Sequence, residues 1–534
     1  SLAFIIKRFL RNKKIFKEIS LFPSLIIFFL FFLFALFQNY GRMFVNWDEF
    51  SHWGIVVKSL YSFDALGTFK DANILFKSYL PGTSLLQYFF VRPFPEFVEY
   101  PAYISQNMLF FSIISTFIKK FDLKNFLFII SALLIPLLMG VSFYSTLYVD
   151  CILGILFGSI FLFYYYYEFP KNSFSIVMIL ATSIILTLTK DMGFVFAGIA
   201  LLILFFDSLI FQKNSLKIFF SHTTGSIQKI KKFLFLTSPF LAIILIRLIW
   251  QIHLKIADVP PFWLNPSEIN LQNLSQLNLL PYQREVINLF RNALFNKPIL
   301  PLEYPIIKIL LLIAIVAIIL SITIRIKNIK PIRLITTFWG IIAGNIVYIL
   351  ILLVFYTFLI SEYEALILAS YERYLYSYLI GIFFTFLIFI LLETDKDRIE
   401  QIKNIYLKNF LKILSTFLLF FIYNSLYNRT KDSINLELLK SRESVHQTIQ
   451  TREEYNKVLA WNKYFSNKNN RIYIISQGNN GYDSLVILHT LYPTHIKWTW
   501  DYSVGLEPYY PELNDPWTMI ISPEDWETYV IKNY

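Results

Sequence analysis

A polytopic, mainly α membrane bundle is the predicted fold class, with a small C-terminal α/β domain on the extracytoplasmic side. Three observations predict it. More than half of the 534 residues are hydrophobic (56%), only 16% are charged, and the apolar residues recur in runs of membrane-spanning length. Average chains carry about 25% charged residues, and no soluble core hides such an excess of apolar surface from water. Disorder needs low hydrophobicity and is excluded as the main theme. The net charge of +12 (48 Lys and Arg against 36 Asp and Glu) then reports loop orientation and anionic lipid, and nucleic acid is not an expected partner. The one cysteine, Cys151, excludes an intramolecular disulfide.

A span needs about 20 mainly apolar residues. Segments 21–38, 101–118, 125–146, 151–167, 173–189, 192–211, 233–250, 306–324, 334–359, 375–392 and 409–427 meet that test, giving about eleven helices. All read as unbroken and free of mid-membrane acids. The first follows Lys7, Arg8, Arg11, Lys13, Lys14 and Lys17 and has no small-residue cleavage site after it, so it reads as a signal anchor. Orientation comes from the basic loops. A cytoplasmic N-terminus places Lys119, Lys120 and Lys124, the lysines from Lys213 to Lys232, Arg325 to Arg333, and Lys396 to Lys408 on one side. The alternate loops, including 39–100 and 251–305, then fall outside.

The chain therefore divides into a transmembrane domain, 1–427, and an extracytoplasmic tail, 428–534. Within the tail, 429–465 is polar with helical spacing of Ile434, Leu436, Leu438 and Leu439. Arg471 to Ile475 reads as a buried strand, followed by a turn at 476–481 and a helix from Tyr482 to near Leu491. Thr518 to Ser522, then Pro523 to Glu527, repeats the strand-then-helix pattern. The Tyr164–Tyr167 run reads as an interfacial aromatic belt.

Four sets of ionisable residues mark the outer rim. The first outer loop opens with Trp47, Asp48, Glu49, His52 and Trp53, two adjacent carboxylates and a histidine among aromatics. Ionisable groups at membrane depth are usually functional, and such surroundings suit a general base. Asp150 follows Tyr148 and Val149 at the outer end of a span. Lys190, beside Asp191, breaks the positive-inside trend; it either pairs with Asp191 or contacts a phosphate. Arg373, between Tyr371 and Tyr374, either pairs with Glu372 or clamps an anionic headgroup. An anionic lipid-phosphate donor and an acceptor hydroxyl needing deprotonation fit this inventory. Ion transport fits it poorly, because transport sites lie near the bilayer midplane in broken helices.

With these residues the chain resembles the GT-C superfamily of polyprenyl-phosphate-dependent glycosyltransferases, which includes the protein O-mannosyltransferases and the bacterial aminoarabinose and arabinofuranosyl transferases. Those enzymes carry an Asp-Glu pair at the start of the first outer loop, often followed by His-aromatic-Gly. Here Asp48 and Glu49 precede His52, Trp53 and Gly54, with one residue more between acids and histidine than mannosyltransferases show. Their Pro-Pro-Leu stretch corresponds to Tyr79 to Leu85, where Gly82 replaces the second proline. Their second acid matches Asp150.

The resemblance covers roughly residues 40–200. It implies transfer of one sugar from a polyprenyl phosphate to an acceptor hydroxyl, with inversion. Asp48 would be the base and Glu49 the less favoured candidate, while Asp150 would position the acceptor or stabilise positive charge on the anomeric carbon. Lys190 and Arg373 would hold the donor phosphate, His52 would bond that phosphate or orient Asp48, and Trp47, Trp53, Tyr371 and Tyr374 would line the substrate. No cofactor is required by this chemistry. Asp48, Glu49, His52 and Asp150 are the set for a divalent cation, should they converge. The implied location is a bacterial cytoplasmic membrane, and the acceptor is a glycan, a lipid or a protein. Three alternatives compete with this reading. Trp498 to Tyr502 is reminiscent of the peptide-binding motif of oligosaccharyltransferases, with Thr499 splitting the tryptophans. A lipid or polysaccharide transporter would want a basic, water-filled cavity inside the bundle, whereas the charges here sit on the rim, and the third alternative is a non-catalytic scaffold.

Overall fold

The computed structural model describes residues 23–139, 143–167, 173–211, 226–260, 279–299, 302–326, 332–394, 441–457 and 482–493, with short pieces between 472 and 531. Mainly helical, these residues include three helices long and apolar enough to cross a membrane: Asp191–Ser208, Thr237–Ile256 and Thr336–Phe358. The helices run in the order α1 (Pro23–Asn39), α2 (Gly54–Phe63), α3 (Gly82–Val91), α4 (Tyr100–Thr116), α5 (Leu123–Leu134) and α6 (Asp150–Tyr166). They continue as α7 (Ser173–Thr189), α8 (Asp191–Phe211), α9 (Ser226–Ile256), α10 (Pro281–Asn296), α11 (Ile306–Ile326) and α12 (Ile332–Phe358). After the short α13 (Glu362–Leu366) comes α14 (Tyr371–Thr394). The predicted span 409–427 and the basic loop 396–408 lie outside the described residues.

One predicted span is not a continuous helix. In 125–146 the α-helix stops at Leu134 and gives way to 3-10 turns at Ile135–Met139 and Phe143–Ser145. Pro136 is the physical reason: it lacks the N–H that an α-helix needs there. The loop 39–100 is largely structured, holding α2, α3 and a π-helical turn at Glu49–Trp53.

The centre of the bundle is the pair α6 and α14. A Cβ on Gly154 would strike Ser377 O, and one on Gly158 would meet Gly381 O at 2.7 Å. Small residues four apart let helix backbones approach this closely. Gly154 against Ser377 and Gly158 against Gly381 keep one constant offset, so the helices run parallel and in register. The same offset sets Asp150 beside Arg373 at their N-termini. Gly158→Leu is accordingly expected to drive the pair apart at a cost of about 1–3 kcal/mol or more. Loss of a monodisperse peak in detergent checks this.

The tyrosine run at the end of α6 is tied down by its hydroxyls, with Tyr164 and Tyr166 buried and Tyr165 and Tyr167 half-buried. Tyr164 donates to Asp207 Oδ2 at 2.6 Å, Tyr165 bonds Thr337, and Tyr166 and Tyr167 donate to the carbonyls of Phe117 and Thr116. Their hydroxyls tie helix ends together at the end of the bundle opposite Asp150.

Beyond α14, the described pieces include α15 (Ser441–Asn456) and α16 (Tyr482–Leu491). Strand β1 (Ile472–Ile474) pairs in parallel with β2 (Ile496–Trp498), with α16 between them in sequence. Strand β3 (Glu507–Pro508) pairs antiparallel with β4 (Met519–Ile520), which precedes a helical turn at Pro523–Asp525. Both helices dock on the first loop. Arg452 bonds Glu99 Oε1 at 3.0 Å and Phe44 O at 3.1 Å, and Tyr482 donates to Val45 O at 2.9 Å.

Candidate functional site

The polar residues singled out in four distant stretches meet at one end of the bundle. Arg373 is the hub: its Nη1 donates to Asp48 Oδ2 at 2.8 Å and its Nε lies 3.4 Å from Asp150 Oδ2. Lys190 Nζ donates to the other Asp150 oxygen at 3.0 Å. His52 Nε2 stands 3.8 Å from Asp48 Oδ2, and its Nδ1 bonds Ser51 Oγ at 2.7 Å.

Each position follows from its element. Asp150 begins α6, where the helix dipole favours an anion. Lys190 occupies the one-residue joint between α7 and α8. Gly82 lets α3 rest directly on the backbone of Leu188, where a Cβ would lie 2.8 Å from its carbonyl oxygen. That contact brings Tyr79 and the first loop over Lys190.

Two carboxylates and two cations balance, which leaves His52 as the uncharged member. Burial pushes its pKa down to about 4, and Arg373 and Lys190 push the same way against the pull of Asp48. For Lys190, burial disfavours the charge but the Asp150 carboxylate outweighs it, so its pKa is raised. At neutral pH the site therefore presents a neutral imidazole beside a permanently charged ammonium and guanidinium.

The pairings rule out one of the two alternatives open for each cation. Lys190 does not pair with Asp191, which instead binds Arg247 at 2.5 Å. Arg373 does not pair with Glu372, whose carboxylate lies 3.9 Å from Lys297. Glu49, the second candidate base, is turned away from the cluster. It is fully buried and accepts backbone N–H bonds from Val45, Asn46 and Leu147 at 2.9–3.0 Å. Burial raises its pKa, with those N–H donors opposing. Consecutive side chains on the turn face different directions, which explains why only one acid reaches Arg373.

Among the expected lining residues, Tyr374 lies beside the cluster, its ring 5.0 Å from Lys190 Nζ. Trp53 packs on His52 and Tyr79. Trp47 is directed to Tyr482. Tyr371 is buried against Phe290 and does not line the cluster, because it sits on the α10 side of α14. Two further aromatics, Tyr148 and Tyr79, have no assigned role in the sequence reading and join the site. Tyr148 lies under the Arg373 guanidinium at 4.9 Å, and Tyr79 stacks on His52 at 5.3 Å. Their nearness in sequence to Asp150 and to Pro81 is the signal that could have found them.

The set named for a divalent cation does not converge. Glu49 points elsewhere, Asp48 and Asp150 are both engaged by Arg373, and no group of three His, Cys, Asp or Glu suits a metal among the described residues. Of the tail's tryptophan-rich stretch only Trp498 is described, in β2; residues 499–502 lie outside the described residues.

A cavity of about 410 Å³ runs from the cluster between α8 and α12. Val195, Val347, Leu350, Ile351 and Val354 line its length, and Lys190, Tyr79 and Tyr374 stand at the cluster end. One structure thus joins a strongly polar head site to a long apolar groove. Comparison with protein-family models, curated proteins and solved structures finds no match to this chain.

Proposed function

We propose that the chain is an integral-membrane glycosyltransferase that moves a sugar from a polyprenyl-phosphate donor to an acceptor hydroxyl, with inversion. The observation that carries this reading is the junction of the Asp48, Asp150, Lys190 and Arg373 cluster with the apolar cavity. A polyprenyl phosphate has the same two parts, an anionic head and a branched hydrocarbon tail. Lys190 lies at the point where both would be held.

On this reading Asp48 takes the proton of the acceptor hydroxyl as its oxygen attacks the anomeric carbon. The bond from that carbon to the phosphate oxygen breaks, and the electron pair leaves with the phosphate. Lys190 and Arg373 face the charge that grows there, where preorganised cations are most effective. Asp150 holds both cations in place and orients the acceptor. The mechanism needs no cofactor, and an unpaired lone pair on Asp48 is its one requirement. The donor phosphate would draw Arg373 from Asp48 and so free the base.

The architecture proposed with this function has about eleven spans, a cytoplasmic N-terminus, and an α/β domain at 428–534 on the extracytoplasmic side of a bacterial cytoplasmic membrane. The convergence of Asp48, Asp150, Lys190 and Arg373 at one end of the bundle supports this topology, since alternating loops put all four outside. A transporter reading draws less support: the cavity is apolar along its length and its charges sit at one end.

Binding of a polyprenyl phosphate to the purified protein in nanodiscs tests the reading. Lys190→Ala is expected to weaken it about 10- to 100-fold, the loss of one charge-assisted hydrogen bond. Inorganic phosphate should compete poorly, because it lacks the tail. Equal affinity of the wild type and Lys190→Ala would detach the cavity from the cluster and remove the basis of the proposal.

A further inference from the structure

We infer that Glu49 is a positioning residue that fixes the separation of Asp48 and Asp150 by bridging the two segments that carry them. The inference rests on the transferase reading for its kinetic consequence, but its structural content stands apart. Glu49 Oε2 accepts N–H bonds from Val45 at 2.9 Å and Asn46 at 3.0 Å, and the Tyr103 hydroxyl at 3.0 Å. Its Oε1 accepts the Leu147 N–H at 3.0 Å. One oxygen thus gathers the turn that leads into Asp48. The other holds the connecting stretch that reaches Asp150 three residues later.

The residue type matters. Four donors converge on this side chain, and an ionised carboxylate is acceptor-only with about four lone-pair sites. A glutamine offers one oxygen and turns an N–H₂ group toward a donor. No cation pairs with Glu49 among the described residues, so its charge is met by backbone N–H dipoles, the Asn46 side chain and a phenol. A buried carboxylate with this many directed bonds and no opposite charge is costly to keep. Its geometric yield is the placement of Asp48 and Asp150 on the same Arg373 guanidinium. Glu99 secures the turn one residue earlier through Phe44 N; Glu49 reaches across to Leu147 at 3.0 Å, beside a longer bond from Asn46 Nδ2 to Thr146 Oγ1 at 3.4 Å.

Two readouts test the inference in the full-length protein. In Glu49→Gln, amide exchange at Leu147 should accelerate about tenfold or more, since a buried hydrogen bond is lost. The kcat for a polyprenyl-phosphate sugar should fall about 10- to 100-fold, as for a displacement of about 1 Å at the reacting groups, with donor affinity near wild type. Glu49→Asp keeps the charge and the local turn but falls about 1.5 Å short of Leu147. It should show the same pair of effects and covers the case in which the glutamine variant does not fold. Unchanged exchange at Leu147 in the folded variant, or accelerated exchange with full kcat, would overturn the inference. If the wild type itself turns over no such donor, the transferase reading fails, and exchange at Leu147 alone then decides whether the bridge exists.

Discussion

Replacing Asp48 by Asn is expected to lower turnover by about 10²–10⁴-fold, the usual contribution of a general base. The substitution keeps shape and hydrogen-bonding capacity but removes the basic lone pair. Arg373 Nη1 lies 2.8 Å from Asp48 Oδ2, and the neutral amide oxygen still accepts that bond, so the cluster should hold its form. Affinity for a polyprenyl phosphate should stay near wild type, because Lys190 and Arg373 are untouched. Steady-state kinetics paired with lipid binding separates the two effects. Full turnover by Asp48→Asn would move the base to Asp150, which lies 3.4 Å from Arg373 Nε on the opposite arm of the fork. Full turnover by the Asn variants of both acids would remove acid–base chemistry from this cluster.

Arg373→Ala is expected to act mainly on donor binding. A headgroup clamp works in the ground state as well as in the transition state, so affinity falls with kcat less affected. One charge-assisted hydrogen bond contributes about 1.5–3 kcal/mol, or roughly 10- to 100-fold in affinity. Losing the guanidinium also leaves Asp48 and Asp150 facing each other without the cation between them. Arg373→Lys should recover only part of the affinity, because one ammonium cannot span both carboxylates as the planar fork does. Donor titration of the three proteins checks the order. An alanine variant with wild-type donor affinity would leave Arg373 as a brace between Asp48 and Asp150.

The helix inventory is legible in the sequence wherever the signal is a long apolar run. Predicted 173–189 and 306–324 coincide closely with α7 and α11. The break in 125–146 is visible as Pro136, but composition alone masks a proline inside an apolar stretch. For the site, the charged residues stand out because each interrupts an apolar context. Their partners do not, since pairing depends on the packing of distant helices. Nothing near Arg373 in sequence announces that α6 and α14 lie in register through Gly154, Gly158 and Gly381. The roles of the two adjacent acids are equally hidden. Asp48 and Glu49 differ only in the direction each takes from one π-helical turn. Arg452 and Glu99 escape sequence reading altogether, because Arg452 sits in an ordinary polar run and the two meet across 353 positions.

Whether the cluster transfers a sugar from a lipid phosphate is decided by mass spectrometry of cell-envelope glycans with and without the protein, which detects the transferred sugar whichever sugar and acceptor are involved. Cells without the protein are expected to lose one sugar's mass from an envelope glycan, lipid or glycoprotein. Wild-type protein should restore that increment, and Asp48→Asn should not. Identical envelope spectra with and without the protein would contradict such a transfer.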